Sequence, residues 1–223
     1  MPAAKRTRSI NGQKQSHTTH IGIKPAAQMA KTKARYTAPM AVNGDFAPDT
    51  PVIRDLKRHI ADHRGPEDLS ATARINWDRK GLLVEFTVTD DVHVQPHPAP
   101  GEVWRGDCIQ MVVGIFYPEQ GRHVFRNIFL TQVHDEPHPF ILEDPDHSDL
   151  VRLTVRREGT RTVYRALLDR TLFPDELKSG ARIPFGFTVN ETDDKSGFRG
   201  WLEWTPGICG SRNYDALGEI TLK

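Results

Sequence analysis

The sequence predicts an all-β fold, an antiparallel β-sandwich of the jelly-roll or immunoglobulin-like kind. Nine short segments are rich in β-branched and aromatic residues, and several of them alternate apolar with polar positions. Residues that favour turns separate these segments, and no βαβ alternation or fixed-period repeat occurs. The predicted strands cover residues 70–77, 82–89, 108–116, 123–130, 150–156, 162–168, 183–189, 200–204 and 218–222.

The segment at residues 82–89, LLVEFTVT, shows the alternation clearly. Val84, Phe86 and Val88 fall on one face of the strand, and Glu85 lies on the opposite face. This pattern predicts a strand that is buried on one side only.

Two short turns join predicted strands in pairs. Residues 78–81 (DRKG) and residues 157–160 (REGT) each place a glycine between two strands. Glycine adopts a positive φ without steric cost, which tight hairpins require. We therefore predict two β-hairpins with Gly81 and Gly159 at the positive-φ positions.

Little helix is expected outside these strands. A short helix is predicted at residues 51–63 and a turn at residues 171–177. Residues 134–149 contain three prolines and six acidic residues, a composition typical of a long surface loop.

Charge divides the chain into two parts. The first 40 residues contain eight of the 30 basic residues and none of the 29 acidic ones. Acid-free basic stretches are typical of solvated disordered arms, and also of transit peptides. We predict a disordered basic tail at residues 1–35 and one domain at residues 36–223. A secretory signal is not predicted, because no apolar stretch of ~7–15 residues follows the charges.

Several functional classes lack their sequence signatures. No apolar run approaches the ~18 residues of a membrane-spanning helix, and two cysteines cannot form a disulfide scaffold or a four-thiolate zinc site. A phosphate-binding loop, a nucleophile elbow and a C-x-x-C motif are absent. The H-x-x-x-H pair of His59 and His63 lacks a neighbouring catalytic glutamate. We therefore predict a protein that is not an enzyme, and nucleic acid is not expected as a partner.

Two acidic pairs stand where predicted strands end. Asp90 and Asp91 follow one strand, and Asp193 and Asp194 follow another. Calcium takes ~6–8 oxygen ligands, which such carboxylates and loop carbonyls supply. Acidic residues also favour turns, so a purely structural role stays open. A glycosidase would need two carboxyl groups separated by ~5–9.5 Å, and no spacing in the sequence selects such a pair.

The tryptophans differ in their surroundings. Trp104 stands in a predicted loop, in EVWRGDCIQMVV, just before a strand. Aromatic rings in loops often serve as platforms on which the CH face of a sugar ring stacks. Trp77, and one of Trp201 and Trp204, fit core positions instead.

Ordered motifs along residues 36–223 resemble carbohydrate-binding modules of family 9. They are VNGDF at residues 42–46, ARINWDRKGLLVEFTVTDDVHVQPHPAPGEVWRGDCIQM at residues 73–111, and PFGFTVNETDD, FRGWLEWTPG and LGEITLK near the C-terminus. The resemblance implies a non-catalytic β-sandwich that binds saccharides, often at glycan chain ends, in polysaccharide degradation. It also implies structural calcium and an extracellular or periplasmic location, although no signal peptide is visible.

The resemblance assigns roles to particular positions. Trp104 matches a stacking residue of the family's cleft, Gln110 a polar cleft residue, Arg126 a sugar-contacting arginine and Asn190 a polar amide. Asp107 matches a structural turn residue. Asp90 matches a calcium-associated residue, and Asp193 is a second calcium candidate.

One departure from the family pattern lies in the loop before the last strand. The family's second stacking tryptophan falls near Ser211 in CGSRNYDALG, where Tyr214 is the available aromatic replacement. Two other functions stay open: a haem-binding sandwich using Met111 and a histidine, and an interaction domain without a ligand.

The two cysteines are expected near the same cleft. Alternation places Cys108 on the same face as Gln110, and Cys209 lies two residues before Ser211. The thiols could form a disulfide, or remain unrelated and reduced.

Overall fold

The computed structural model describes residues 33–95, 101–173, 177–194 and 197–223. The predicted basic tail lies outside the described residues up to Thr32.

The described residues form twelve strands, which are arranged in two sheets. The strands are β1 (Arg35–Ala38), β2 (Lys57–Arg58), β3 (Leu69–Asp78), β4 (Gly81–Asp90), β5 (Cys108–Tyr117), β6 (Arg122–Val133), β7 (Glu136–Ile141), β8 (Val151–Glu158), β9 (Arg161–Asp169), β10 (Arg182–Glu191), β11 (Gly200–Glu203) and β12 (Gly218–Leu222). The eight-stranded sheet has the order β1-β12-β10-β5-β6-β7, with β11 paired to β10 and β2 paired to β11. The four-stranded sheet has the order β3-β4-β9-β8.

The predicted sandwich is confirmed, and each of the nine predicted strands is present. All strand pairs within the two sheets are antiparallel except β1 with β12, which are parallel. The two predicted hairpins join β3 to β4 and β8 to β9, and Gly81 and Gly159 have φ values of +154° and +57°.

Inward-facing residues of the two sheets meet in an apolar core. Val84 and Phe86 of β4 are fully buried, as are Phe185 and Phe187 of β10. The rings of Phe86 and Phe187 make an edge-to-face contact with centroids 4.9 Å apart. Burying one such side chain stabilises the fold by about 1.5–3 kcal/mol, so the alternating pattern directly determines which face turns inward.

The helix predicted at residues 51–63 is wrong. This segment is extended: Ile53 exchanges two backbone hydrogen bonds with Ala73 of β3, of 2.9 and 3.0 Å, and Lys57–Arg58 pairs with β11. Pairing with distant strands satisfies the backbone of this segment in place of helical hydrogen bonds. At the predicted turn, Arg170–Leu172 forms a 3₁₀ helix, and residues 174–176 lie outside the described residues.

The long surface loop predicted at residues 134–149 is also wrong. It contains β7 and a 3₁₀ helix at Pro145–Leu150. Strand β7 lies at the edge of the eight-stranded sheet. Pro137 and Pro139 are two residues apart, so both lack an N–H on the same side of the strand, and an edge strand tolerates this on its unpaired side.

None of the described helices is long and apolar enough to span a membrane.

We predict that Gly81→Ala strongly destabilises the protein. A Cβ at this position would lie 1.9 Å from the carbonyl oxygen of Leu168, and the positive φ adds strain. Steric overpacking and backbone strain together should lower the free energy of unfolding by about 3 kcal/mol, measured by urea denaturation.

Gly159→Ala is the matched control in the other hairpin. It has a positive φ, but no atom of the described residues lies within 4 Å of the added Cβ. The control should lose only about 1–2 kcal/mol. An equal loss of unfolding free energy in the two variants would contradict the close approach of the Leu168 carbonyl to Gly81.

Candidate functional site

The outer face of the eight-stranded sheet carries polar and aromatic side chains at its centre. Register places Thr188 of β10 beside Gln110 of β5, and Gln110 beside Phe129 of β6. The residues next to them in sequence, such as Met111 and Ile128, point into the core. Strand alternation therefore separates a core face from a site face on the same three strands.

A groove of about 290 Å³ lies over this site face. Aromatic side chains, amides, a thiol and one guanidinium border it. The described lining residues are Gly101, Trp104, Gln110, Asn127, Phe129, Leu142, Asn190, Phe198, Trp201, Ile208, Cys209, Gly210 and Arg212.

Trp104 projects from a single-turn 3₁₀ helix, Val103–Arg105, at one side of the groove. Val103 is buried and anchors the turn, whereas Trp104 is 38% exposed. The indole N–H donates to the carbonyl of Gly101 at 2.8 Å. This bond satisfies the polar edge of the ring. The Arg105 guanidinium lies over the ring, 5.5 Å from its centroid, so only part of the apolar surface is available.

Phe198 and Trp201 complete the aromatic side of the groove. Phe198 meets Trp104 edge to face with centroids 5.4 Å apart and stacks on Trp201 at 6.1 Å. His59 stacks on the indole of Trp201 at 4.7 Å. Trp204, by contrast, packs on Phe187 of the core.

Sequence reasoning missed Phe198. Phe198, like Trp104, is an aromatic residue outside a strand. This feature could have marked it as a candidate binding residue. Only the packing of β11 beside β10 brings Phe198 next to Trp104.

Gln110 and Asn190 line the groove, as the resemblance implied. The Asn190 amide N–H donates to the carbonyl of Trp104 at 3.1 Å, and its oxygen accepts from the Thr188 hydroxyl at 3.0 Å. Gln110 donates to the amide oxygen of Asn127 at 3.4 Å. Asn190 is therefore placed to hold the backbone of Trp104.

Tyr214 is not among the described residues that line the groove. Its hydroxyl accepts from the Asn127 amide at 2.7 Å, and its ring packs on Phe125 at 5.0 Å. Beside Trp104, the aromatic side of the groove thus comes from Phe198, which precedes β11, and Trp201 of β11, rather than from a residue of the loop that the resemblance indicated.

Arg126 lies apart from the other predicted binding residues. On β6 it alternates with Asn127, which lines the groove, and shares the face of Ile128, which lies in the core. Its guanidinium lies 3.6 Å from the Asp144 carboxylate. The structure does not bring Arg126 to the groove.

Both cysteines lie on the site side of the sheet, and both are free thiols. The Cys209 sulfur lies 3.7 Å from the Thr188 hydroxyl and 3.8 Å from the Gln110 amide oxygen. Cys108 is buried beneath the groove with Phe129. Burial raises the pKa of both thiols, which disfavours the reactive thiolate.

Asp90 belongs to a buried cluster with Asp107 and His93. The His93 Nδ1 atom lies 3.5 Å from an Asp90 oxygen and 3.3 Å from an Asp107 oxygen. Arg157 approaches Asp90 to 3.7 Å. Burial alone would lower the pKa of His93, but the two carboxylates outweigh it and raise this pKa to about 9. His93 is therefore a cation at neutral pH, beside the Arg157 guanidinium.

Backbone N–H groups also donate hydrogen bonds to the Asp90 and Asp107 carboxylates. Asp90 accepts from Val92 at 2.9 Å. Asp107 accepts from Val94 at 2.5 Å and from Thr192 at 2.9 Å. The structural role implied for Asp107 agrees with these contacts.

Asp193 belongs to a second cluster, with Asp68 and Asp91. Arg199 donates to Asp193 at 2.7 Å and to Asp68 at 3.1 Å, and Arg64 donates to Asp193 at 3.2 Å. Burial would raise the pKa of Asp68, but hydrogen bonds from Arg199 and Arg64 hold it well below its usual range. Two guanidinium groups thus neutralise these carboxylates.

Glu191 lies at the inner edge of the second cluster and is fully buried. One carboxyl oxygen accepts from Arg199 at 3.0 Å, while the other has no hydrogen-bond partner among the described residues. Burial, followed by the charges of Asp107 and Asp90, raises the pKa of Glu191 to about 10. At neutral pH this carboxyl group is protonated and is a poor ligand for a hard cation.

Calcium at Asp90 and at Asp193, which the resemblance implied, stays a prediction, and each residue belongs to a group of three side chains that could hold a metal ion. Asp90 and Asp193 belong to separate clusters. Their oxygens already face N–H groups or cationic side chains of the protein, and calcium binding would require exchanging those contacts for ~6–8 oxygen ligands.

The described fold is similar to that of known saccharide-binding modules. Two structures of a family 9 carbohydrate-binding module from Caldicellulosiruptor kristjanssonii, in complex with cellotriose and with glucose, align with TM-scores of 0.61 and 0.62 at 15% and 14% identity. They cover 85% of this chain, and 94% and 96% of those chains. A candidate carbohydrate-binding protein from Bacteroides uniformis aligns with a TM-score of 0.58 at 12% identity, over 86% of this chain and 100% of that one.

No family model and no curated protein matches the sequence. The similarity to solved structures confirms, at the level of fold, the resemblance that the sequence motifs indicated.

We predict a pH-dependent stability contribution from His93. Its pKa in the folded state, about 9, lies above the ordinary value of 6.5. Protonated His93 therefore stabilises the fold below about pH 6.5, and this contribution disappears as the pH rises to about 9. The difference in free energy of unfolding between the parent and His93→Gln, measured by urea denaturation at each pH, should shrink as the pH rises across this window. A constant difference from about pH 6 to pH 9.5 would contradict the assignment.

We also predict that Arg199, rather than a metal ion, neutralises the second cluster. Arg199→Ala leaves Arg64 as the one guanidinium of the described residues that pairs with Asp68 and Asp193. It should lower the free energy of unfolding by about 3 kcal/mol, the lower end of the cost of breaking a buried ion pair. EDTA should leave the melting temperature of the parent unchanged. Arg156→Ala, which removes an exposed guanidinium paired with Glu158, is the control and should cost less than about 1 kcal/mol.

A melting temperature that falls with EDTA and recovers with added calcium would overturn this prediction. It would restore calcium as the stabilising cation.

Proposed function

We propose that the groove binds saccharides without catalysing a reaction on them, as part of polysaccharide degradation. The observation that carries this proposal is the convergence of Trp104, Phe198 and Trp201 on one side of a groove whose floor holds amide side chains. Such a surface combines an apolar platform with polar groups that fix orientation.

The physical basis is the two-sided character of a sugar ring. Its CH face packs on aromatic rings, and its hydroxyl groups need hydrogen-bond partners. Trp104 offers the exposed platform. Gln110 offers an amide that is only weakly engaged, since its bond to Asn127 is 3.4 Å long.

The size of the groove favours small saccharides or the ends of glycan chains. Its volume of about 290 Å³ is at the lower end of the ~300–1,000 Å³ range of small-molecule sites. The structures of similar fold from Caldicellulosiruptor kristjanssonii hold cellotriose and glucose, which makes these two sugars the first ligands to test.

The lining favours binding over glycoside hydrolysis. Hydrolysis uses two carboxyl groups on either side of the bond to be cleaved. Among the described residues that line the groove, none carries a carboxyl group. The groove as described therefore offers neither a general acid nor a nucleophile.

A haem site has less support. Met111 is 0% exposed and lies in the core between the sheets. It points away from the groove, and no histidine is among the groove's described lining residues. For Met111 to ligate a haem iron in this groove, the core face of β5 would have to point outward.

We predict that Trp104→Ala weakens binding of cellotriose or glucose by about 5- to 150-fold. The variant loses the stacking platform, whose removal is expected to cost about 1–3 kcal/mol. Its melting temperature should change little, because the ring is partly exposed. Isothermal titration calorimetry and thermal unfolding measure the two effects.

Phe46→Ala is the control for removal of a partly exposed aromatic ring. Phe46 contacts Arg74 and Arg165, and Arg165 lies on the four-stranded sheet. Its loss should leave sugar affinity unchanged. If Trp104→Ala binds as tightly as the parent, the groove is not the saccharide site.

A further inference from the structure

The loop before β12 contributes an arginine to the groove. Arg212 lines the groove and has a φ of +46°, in the left-handed region that non-glycine residues seldom adopt. This is the loop in which the family pattern has a second stacking tryptophan. In this chain the loop therefore contributes the Arg212 guanidinium to the groove in place of a tryptophan ring.

Arg212 has no compensating acid in the described structure. Among the described residues, its side chain has no ion-pair or hydrogen-bond partner, and it is the sole charged member of the described lining. Two other arginines near this end of the protein are paired: Arg105 lies 3.3 Å from Glu102, and Arg126 lies 3.6 Å from Asp144. Arg212 is thus a guanidinium available to a ligand.

Of the three amide side chains in the described lining of the groove, Asn127 and Asn190 are already paired inside the protein, which leaves Gln110 as the weakly engaged amide. The Asn127 amide group donates to Glu143 and to Tyr214. The Asn190 amide group is bonded to Trp104 and Thr188. Groups already paired inside the protein contribute little to ligand hydroxyls, since a new bond would replace an existing one.

We propose that the groove selects acidic saccharides, with the carboxylate of a uronic acid bound by Arg212 while the sugar ring stacks on Trp104. The proposal rests on the saccharide function above and specifies its ligand class. A planar guanidinium presents two parallel N–H donors to a planar carboxylate, an arrangement that a neutral hydroxymethyl group cannot match.

The experiment compares three sugars that differ at one position. Glucuronic acid carries the carboxylate, its methyl ester keeps the size without the charge, and glucose has a hydroxymethyl group. Calorimetric titration of the parent should give an affinity for glucuronate about tenfold higher than for the other two, as expected of a charge-assisted bidentate pair. Added salt should weaken glucuronate binding more than ester binding.

Three variants test whether the preference for glucuronate depends on the Arg212 side chain. Arg212→Gln should remove the preference for glucuronate over the ester, because the charge-assisted pair is lost. Arg212→Lys keeps the charge but not the paired donors, so it should retain part of the preference. Arg156→Ala removes an equal charge on the four-stranded sheet and should behave as the parent. The substitutions are at exposed positions, and thermal unfolding verifies that each variant is folded.

The outcomes separate this proposal from the general function. If the parent binds the three sugars equally and Trp104→Ala abolishes that binding, acid selection is wrong and saccharide binding stands. A preference for glucuronate that survives in Arg212→Gln also overturns the role of Arg212. If none of these sugars nor cellotriose binds, the saccharide function itself fails, and acid selection fails with it.

Discussion

The hydrogen bonds of the buried Asp107 carboxylate are the constraint on which the site depends. Asp107 lies between Trp104 and β5, and it accepts the N–H groups of Val94 and Thr192, from the segments that follow β4 and β10. The Thr192 hydroxyl in turn donates to the carbonyl of Arg105 at 2.6 Å. Three chain segments distant in sequence are thereby joined at one end of the sandwich. A buried carboxylate left without these donors would be costly, so the segments stay together and the Trp104 turn stays at the rim.

The aromatic side of the groove is held by polar contacts behind it. Asn190 bonds the carbonyl of Trp104. On the opposite segment, Arg199 stands between Phe198 and Trp201 in sequence and bonds Asp68 and Asp193. Rings that stack on a ligand bind best when they are already fixed, because little conformational freedom is then lost on binding. The charged cluster thus helps to fix the positions of Phe198 and Trp201. Its own side chains are not part of the described groove lining.

Electrostatics divide the site end of the molecule into two regions. Behind the groove, acidic side chains are neutralised by Arg64, Arg199 and His93 or carry a proton, as Glu191 does. Within the groove, the described lining contains amides, a thiol and the single charge of Arg212. The acidic side chains behind the groove therefore bond to other parts of the protein and stabilise the fold there. The surface that meets a ligand is neutral to basic, and this is the physical ground for expecting an anionic saccharide.

Local sequence was sufficient to predict nine strands and the two hairpins. Trp104 was singled out by its loop position and Gln110 by the family resemblance, and both line the groove; their roles in binding stay predictions. Period-two alternation and turn glycines act over a few residues and need no distant partner. The sequence did not predict β1, β2 and β7. Edge strands are defined by the neighbour with which they pair. The placement of Phe198 was not predicted either, because it depends on which strand ends the loop meets. Arg126 shows the same limit: its resemblance to a binding residue was visible in the chain, but strand register turned it to the other face. Tertiary structure alone decided which side chains share the groove, because their convergence depends on pairings between strands far apart in sequence.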